Sequence, residues 1–379
     1  MRARSALLAL AAPVVLAALA AGCGGSDSGG SASGSGNRVN VKITEAGCDP
    51  AELEVKAGPT TFAVVNDGAG AVSEYEVLDG DRILGEVENL APGLSGEFSL
   101  TLNPGEYVSY CPGGTTTERG KIRVTGTATV ATGGGESQQT AVENYRRYVE
   151  NETASLVRAT TAFVAALKAG DLEKAKQLYG PARIPYERIE PVAESFGNLD
   201  PAIDARSGDV PKAEWTGFHP IEQLLWVKGT TDGTQELANG LLGNVKSLDR
   251  RVQTVKLEPA QVANGAVELL GEVSKSKITG EEERYSHIDL VDFQANVDGA
   301  RAAFESVRPI LESSDKELAT EIAARFDDVD KALDPYRRGA TGFVTYDQLT
   351  PADTRDLSRA IDALAEPLSR VGAIVVAAQ

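Results

Sequence analysis

The sequence predicts two folded parts in series, an all-β sandwich followed by an all-α helical bundle. Three observations predict it. Residues 38–127 break into short runs rich in β-branched residues, with turn residues between them. Residues 140–379 change to apolar spacings of three and four. A stretch of Thr, Ala, Gly, Ser and Gln, residues 128–139, reads as the linker between them. A chain of 379 residues is also too long for one ordinary core.

An export leader precedes both parts. Arg2 and Arg4 supply a positive end, an apolar stretch runs from Ala6 to Ala21, and small residues lead to Cys23. The stretch is short and Ala-rich for a membrane span. Leu19-Ala20-Ala21-Gly22-Cys23 resembles the lipobox of bacterial lipoproteins, whose Cys carries the lipid. It departs from that motif at Ala20, where a larger aliphatic residue is usual. The expectation is a signal peptide over 1–22, a lipidated Cys23 and a Gly/Ser tether over 23–37. Such a protein is exported, in the periplasm or at the cell surface, and held to the cell membrane by its lipid. Three Cys leave an odd thiol in an exported protein. With Cys23 lipidated, Cys48 and Cys111 are free to form a disulfide, worth about 4 kcal/mol on a chain-entropy estimate.

In the β part, Val39–Ile43, Leu53–Val55, Thr61–Val65, Tyr75–Leu78, Phe98–Leu102, Tyr107–Tyr110 and Lys121–Val124 are the expected strands. Gly58-Pro59, Asn66-Asp67-Gly68, Asp79-Gly80, Pro92-Gly93 and Asn103-Pro104-Gly105 mark turns. Short strands at this spacing imply a sandwich or barrel. Residues 38–127 hold neither His nor Met, which excludes a blue-copper site of Cys, two His and Met. In the α part, helices are expected over 140–169 and near 171–179, 185–196, 219–228, 234–255, 289–312, 315–333 and 353–378.

A net charge of −18, or −20 once Arg2 and Arg4 leave with the leader, argues against a nucleic-acid partner, because a phosphate backbone is held by Lys and Arg. The acidity suits a partner cation, although solubility alone also explains it. His219 and His287 are the two His of the chain. In Gly217-Phe218-His219-Pro220-Ile221-Glu222, His and Glu three apart share one helix face, so imidazole and carboxylate converge on one ion. The competing structural reading is a helix start in which Glu222 bonds orphan N–H groups. Glu187, Glu190 and Glu194 fall along one helical stripe, a pattern that also describes a solvated face. Glu281-Glu282-Glu283 reads by itself as an exposed acidic loop, while the nearby Tyr285 and Asp289 offer oxygen donors suited to ferric iron.

Y-E-R-I-E-P-V-A-E-S-F-G-N-L-D, then G-F-H-P-I-E, then T-G-E-E-E-R-Y-S-H-I-D-L-V-D-F-Q-A-N, in that order, resemble the imelysin-like domain of the EfeO family, periplasmic components of bacterial iron-uptake systems. The β part with its two Cys looks like that family's cupredoxin-like domain, so the resemblance covers nearly the whole mature chain. It implies His219 and Glu222 as ligands for Fe(II) or Fe(III), with Glu187 in the segment that faces them. Glu190, Asp289 and Tyr285 are the expected completing ligands. It also implies an accessory carboxylate site in the β part, matching Glu74 and Glu106. The implied partners are an EfeU-like iron permease and an EfeB-like haem peroxidase, and copper or zinc are the implied competitors. Two other readings stand beside iron capture. One is an imelysin-type metallopeptidase, the other a lipoprotein that binds acidic polysaccharide. No G-x-S-x-G or H-E-x-x-H motif is present.

Overall fold

The structure is a computed structural model that describes residues 36–80, 82–127, 135–339 and 342–378. The leader, Cys23 and the tether up to residue 35 lie outside those residues.

The β part comprises β1 (Asn37–Thr44), β2 (Gly47–Asp49), β3 (Glu52–Lys56), β4 (Gly58–Asn66), β5 (Tyr75–Asp79), β6 (Arg82–Val87), β7 (Ser95–Leu102), β8 (Gly105–Tyr110) and β9 (Arg119–Thr125). They form a four-stranded sheet in the order β2-β1-β4-β7 and a five-stranded sheet in the order β3-β9-β8-β5-β6. Strict alternation of burial along β4 turns Phe62 and Val64 inward. Phe62 faces Phe98 across the β4–β7 register, with rings stacked 5.2 Å apart. Cys48 of β2 and Cys111, just after β8, are disulfide-bonded and tie one sheet to the other. β2 and β6 were not among the expected strands. β2 has three residues, and β6 carries Gly85 where a Cβ would lie 2.8 Å from the Phe98 ring.

The bundle consists of α1 (Glu136–Ala169), α2 (Leu172–Glu187), α3 (Leu199–Asp204), α4 (Phe218–Trp226), α5 (Gln235–Val252), α6 (Pro259–Lys275), α7 (Asp289–Ser314), α8 (Lys316–Leu333), α9 (Pro351–Leu368) and α10 (Val371–Ala377). Short 3-10 turns at Glu190–Phe196 and Lys277–Thr279 follow α2 and α6. Tyr145, Val149, Leu156, Phe163 and Leu167 line the buried stripe of α1. The helix ends at Gly170, whose φ of 74° is the left-handed conformation that stops a helix. α1 starts at Glu136, so residues 136–139 are helix rather than linker. α2 runs through Pro181 and Pro185 instead of breaking between 179 and 185. The helix expected over 185–196 is the end of α2 and a 3-10 turn, which separates Glu187 from Glu190 and breaks the supposed stripe.

α6 was not expected, and together with α10 it joins the two parts. Gln261 Nε2 donates to the Ile83 carbonyl of β6 at 3.0 Å, and Asn264 Nδ2 donates to the Ser99 carbonyl of β7 at 2.9 Å. Arg82 Nη1 returns a bond to the Lys256 carbonyl at 2.8 Å. Among the described residues no helix is long and apolar enough to cross a membrane.

Candidate metal centre

His219 is placed by its neighbours on both sides in sequence. Gly217 caps α4 at φ 88°, and a Cβ there would lie 2.0 Å from the Ile203 carbonyl. Only a glycine lets α4 begin hard against the end of α3, and that contact brings His219 beside Asp204. Both side chains of the His-x-x-Glu pair are buried. His219 Nδ1 lies 3.3 Å from Glu222 Oε2. The other oxygen, Glu222 Oε1, accepts the backbone N–H groups of Tyr285 at 2.8 Å and Ser286 at 2.6 Å. Glu222 therefore pins the 282–288 loop onto α4, and the N–H groups it satisfies are not those of its own helix start.

The opposite ring nitrogen is open. His219 Nε2 stands 3.4 Å from Asp204 Oδ1 and 3.7 Å from Glu282 Oε1, without the alignment of a hydrogen bond. His219 is 2% exposed, so no bulk water serves it. Ligand atoms of Asp204, His219 and Glu282 lie within 4.8 Å of one another, and so do those of His219, Glu222 and Glu283. A third set, Glu187, Glu190 and Asp204, adjoins the first through Asp204.

Two buried cations thread these carboxylates. Arg183 of α2 is completely buried. It contacts Glu187 and Asp204, Glu282 at 3.1 Å, Glu283 at 2.6 Å and Asp292 at 3.0 Å. Lys277 contacts Glu190, Glu187 at 3.4 Å and Glu282 at 3.7 Å. Asn296 Nδ2 of α7 donates to Glu187 Oε2 at 2.9 Å.

The carboxyl groups fall into two electrostatic sets. Burial pushes Glu282 up, but Lys277, His219, Arg206 and Arg183 outweigh it and hold it well below the usual carboxylate range. Asp204 and Glu222 are likewise lowered against burial, Asp204 by Arg183 and His219, Glu222 by His219 and the two backbone N–H groups. Burial raises Glu283 well above its ordinary value, reinforced by Glu222, and lifts Asp292 to about 8 despite Arg183. The lowered set, Asp204, Glu222 and Glu282, faces the imidazole together with the raised Glu283. Burial and Arg183 both work against a charged His219, yet Asp204, Glu222 and Glu282 together raise its proton affinity well above that of a free imidazole. A metal ion at Nε2 therefore competes with protons for the ring.

The model of the imelysin family matches residues 141–371, and that of the cupredoxin-like domain matches residues 7–124. The iron uptake system component EfeO of Escherichia coli strain K12 is 42% identical over 345 residues, an alignment covering 89% of this chain and 91% of that protein. Proteins of the same description from Escherichia coli O157:H7 and Shigella flexneri align to the same extent. The chain belongs to the EfeO family. The sandwich is the EfeO cupredoxin-like domain and the bundle its imelysin domain.

Within this EfeO-family bundle, His219 and Glu222 lie together with Glu283, while Glu187 and the half-buried Glu190 form a neighbouring set linked to His219 through Asp204; Tyr285 and Asp289 are in neither set. The Tyr285 hydroxyl accepts a bond from Gln223 Nε2 at 2.9 Å. Asp289 Oδ1 accepts the backbone N–H of Glu283 at 3.0 Å. Each holds the loop through that bond, and Asp289 Oδ2 is buried without a hydrogen-bond partner. Of the acidic triplet only Glu281 is exposed; Glu282 and Glu283 are buried, which overturns the reading of the run as a solvated loop. Asp204, Arg183, Lys277 and Asp292 were missed altogether. His287 is exposed at φ 58°.

In the EfeO sandwich, Glu74 lies with Glu86 and Glu88, their ligand atoms within 4.8 Å. Burial and the neighbouring Glu76 raise Glu74 to about 8; burial and Glu74 raise Glu88 to about 8. Glu106 is not part of this group. It is exposed and pairs with Lys121 at 3.6 Å and Arg123 at 3.7 Å.

Proposed function

We propose that this chain is an exported, lipid-anchored iron-binding protein that captures Fe(II) or Fe(III) and passes it to a membrane iron permease, in a system that includes a haem peroxidase. Membership of the EfeO family supports the iron-uptake role, because its relatives are described as iron uptake system components. The observation that carries the reading is His219 Nε2, buried, without a hydrogen-bond partner, and facing the ionised carboxylates Asp204 and Glu282. One imidazole nitrogen with carboxylate oxygens suits ferrous and ferric iron; the same donors accept zinc and copper, so these are the competitors to test. Glu222 fixes the ring through Nδ1, the part an orienting carboxylate plays behind a metal-bound histidine. Glu187 and Glu190, reached through Asp204, are the next donors available. Arg183 and Lys277 compensate the carboxylates while iron is absent, and their charge holds the affinity for cargo low enough for release. The Glu74–Glu86–Glu88 group is the accessory cation site of the sandwich.

Peptidase chemistry has less support. A hydrolytic metal needs a nearby carboxylate free to act as base. Glu222 spends one oxygen on two backbone N–H groups and turns the other to His219.

Anaerobic Fe(II) and aerobic Fe(III)-citrate titrations of the mature protein test the iron reading. His219→Ala and Glu282→Gln should each weaken binding by about 100-fold or more, and Glu222→Gln by about tenfold, as expected for an orienting partner. Wild-type affinity in both His219→Ala and Glu282→Gln would end it.

A further inference from the structure

A cavity of 260 Å³ lies at the seam between sandwich and bundle. Glu88, just past β6, lines one side; Asp200 and Asp204 of α3, Glu268 and Glu272 of α6, and Glu282 line the other. Arg206 is the one basic residue among its walls, bridging Glu272 at 3.4 Å and Glu282 at 3.2 Å. The cavity touches both acidic groups described above. Glu88 is a member of the Glu74–Glu86–Glu88 group, and Asp204 and Glu282 belong to the His219 group.

Each of those groups contains a side chain with an unanswered polar atom. At the sandwich end it is Oε2 of Glu86, which is 3% exposed; at the bundle end it is Nε2 of His219. A buried carboxylate oxygen left without a donor is costly unless a cation or water serves it. Neither atom lines the cavity itself; Glu88 brings the first group to one wall and Asp204 and Glu282 bring the second to the other, which describes a route with a binding group at each end.

We propose that this cavity is an internal passage through which cations move between the Glu74–Glu86–Glu88 group and the His219 centre, with Glu268 and Glu272 as the relay on its wall. The proposal rests on the His219 centre being a metal site. Glu88 starts the route on the sandwich side. Glu268 and Glu272, one turn apart on α6, offer successive carboxylates along it. Arg206 sits where the route reaches Glu282, so an arriving cation exchanges with the guanidinium for Glu272 and Glu282 before meeting the imidazole.

The two tryptophans of the chain allow arrival to be timed. Trp226 ends the helix that carries His219, and the Trp215 indole N–H donates to the Ala205 carbonyl, next to Asp204, at 2.8 Å. Quenching of tryptophan fluorescence by Fe(II), mixed anaerobically in a stopped-flow instrument, therefore reports loading of the bundle centre. In the full mature chain, the Glu268→Gln/Glu272→Gln variant should reach the wild-type end point and affinity about tenfold more slowly, a change within the range that acid-lined clefts give to cation entry. Glu268→Asp/Glu272→Asp, which keeps both charges, should restore most of the rate. A cooperative thermal unfolding of the Gln variant within a few degrees of the wild-type temperature shows that it folds, the lost Arg206–Glu272 pair being partly exposed. An unchanged rate in the Gln variant overturns the passage and leaves the metal centre standing. A lost end-point affinity overturns it too, by making these acids ligands. Absence of any Fe(II)-dependent quench in the wild type removes the metal centre, and the passage with it.

Discussion

Arg183→Met provides the sharpest test of how the acidic centre is held together. The guanidinium is fully buried and touches carboxylates from α2, α3, the 282–288 loop and α7. Met fills the space of the aliphatic stem but leaves those acids without their counter-charge. Removing one partner of a buried ion pair costs about 3–5 kcal/mol, because an uncompensated charge stays behind. Here the acids can take up protons instead, at about 1.4 kcal/mol for each unit between their folded pKa and the pH. That relief sets a pH dependence whose sign is fixed. In the wild type Arg183 lowers Asp204, so its contribution is present above the unfolded carboxyl pKa and lost only as pH falls through the folded value. In the variant the same acids sit above their unfolded pKa, so folding loses stability as pH rises from about 4. The gap between the two proteins should be about 4 kcal/mol at pH 7.5 and less than about half that at pH 5. Urea unfolding followed by tryptophan fluorescence measures it in the right place, since Trp215 and Trp226 both belong to the bundle. A loss below about 1 kcal/mol at pH 7.5, or one that does not change with pH, would refute the assignment of Arg183 as the central counter-charge.

Three further outcomes follow from the same electrostatics and from the sandwich. Iron affinity should fall as pH drops from 7.5 to 6, by up to about tenfold per unit for each proton displaced, because His219, whose proton affinity is raised, competes with the ion for protons. Binding in weak buffer should release about one proton per ion, and a pH electrode that records none would contradict the raised proton affinity of His219. Cys48→Ala/Cys111→Ala should cost the sandwich about 4 kcal/mol, seen by calorimetry, and identical melting of oxidised and reduced wild type would contradict it.

The sequence made the order of the two parts legible, together with most strands and long helices, because period-2 and period-3.6 patterns survive wherever one face is solvated. α6 escaped because it packs on two sides, against the sandwich and within the bundle. Its run Pro259–Lys275 also carries Asn264, Gly265 and Gly271, which dilute the helical pattern. Gly265 is there for contact: a Cβ would lie 1.7 Å from the Pro191 carbonyl. β6 escaped for a similar reason, with Gly85 breaking the alternation. At the centre, His219 and Glu222 were visible because their spacing lies within one helical turn. Asp204, Arg183 and Lys277 come from separate elements, and a charged residue seen alone in a sequence defaults to the surface. Nothing local distinguishes exposed Glu281 from buried Glu282 and Glu283. The distinction arises when Gly217 seats α4 against α3 and Glu222 draws the loop down by its backbone.

The bonds from Gln261 and Asn264 to strand carbonyls give the sandwich a duty toward the bundle that its own chemistry does not reveal. It is a dielectric shutter. Glu88, just past β6, walls one side of the acid-lined recess, so that less bulk water weakens the field around α6 and Glu282. A bundle parted from its sandwich would keep its imidazole and most of its acids, yet would hold a cation in an open trough, where water and salt screen each carboxylate.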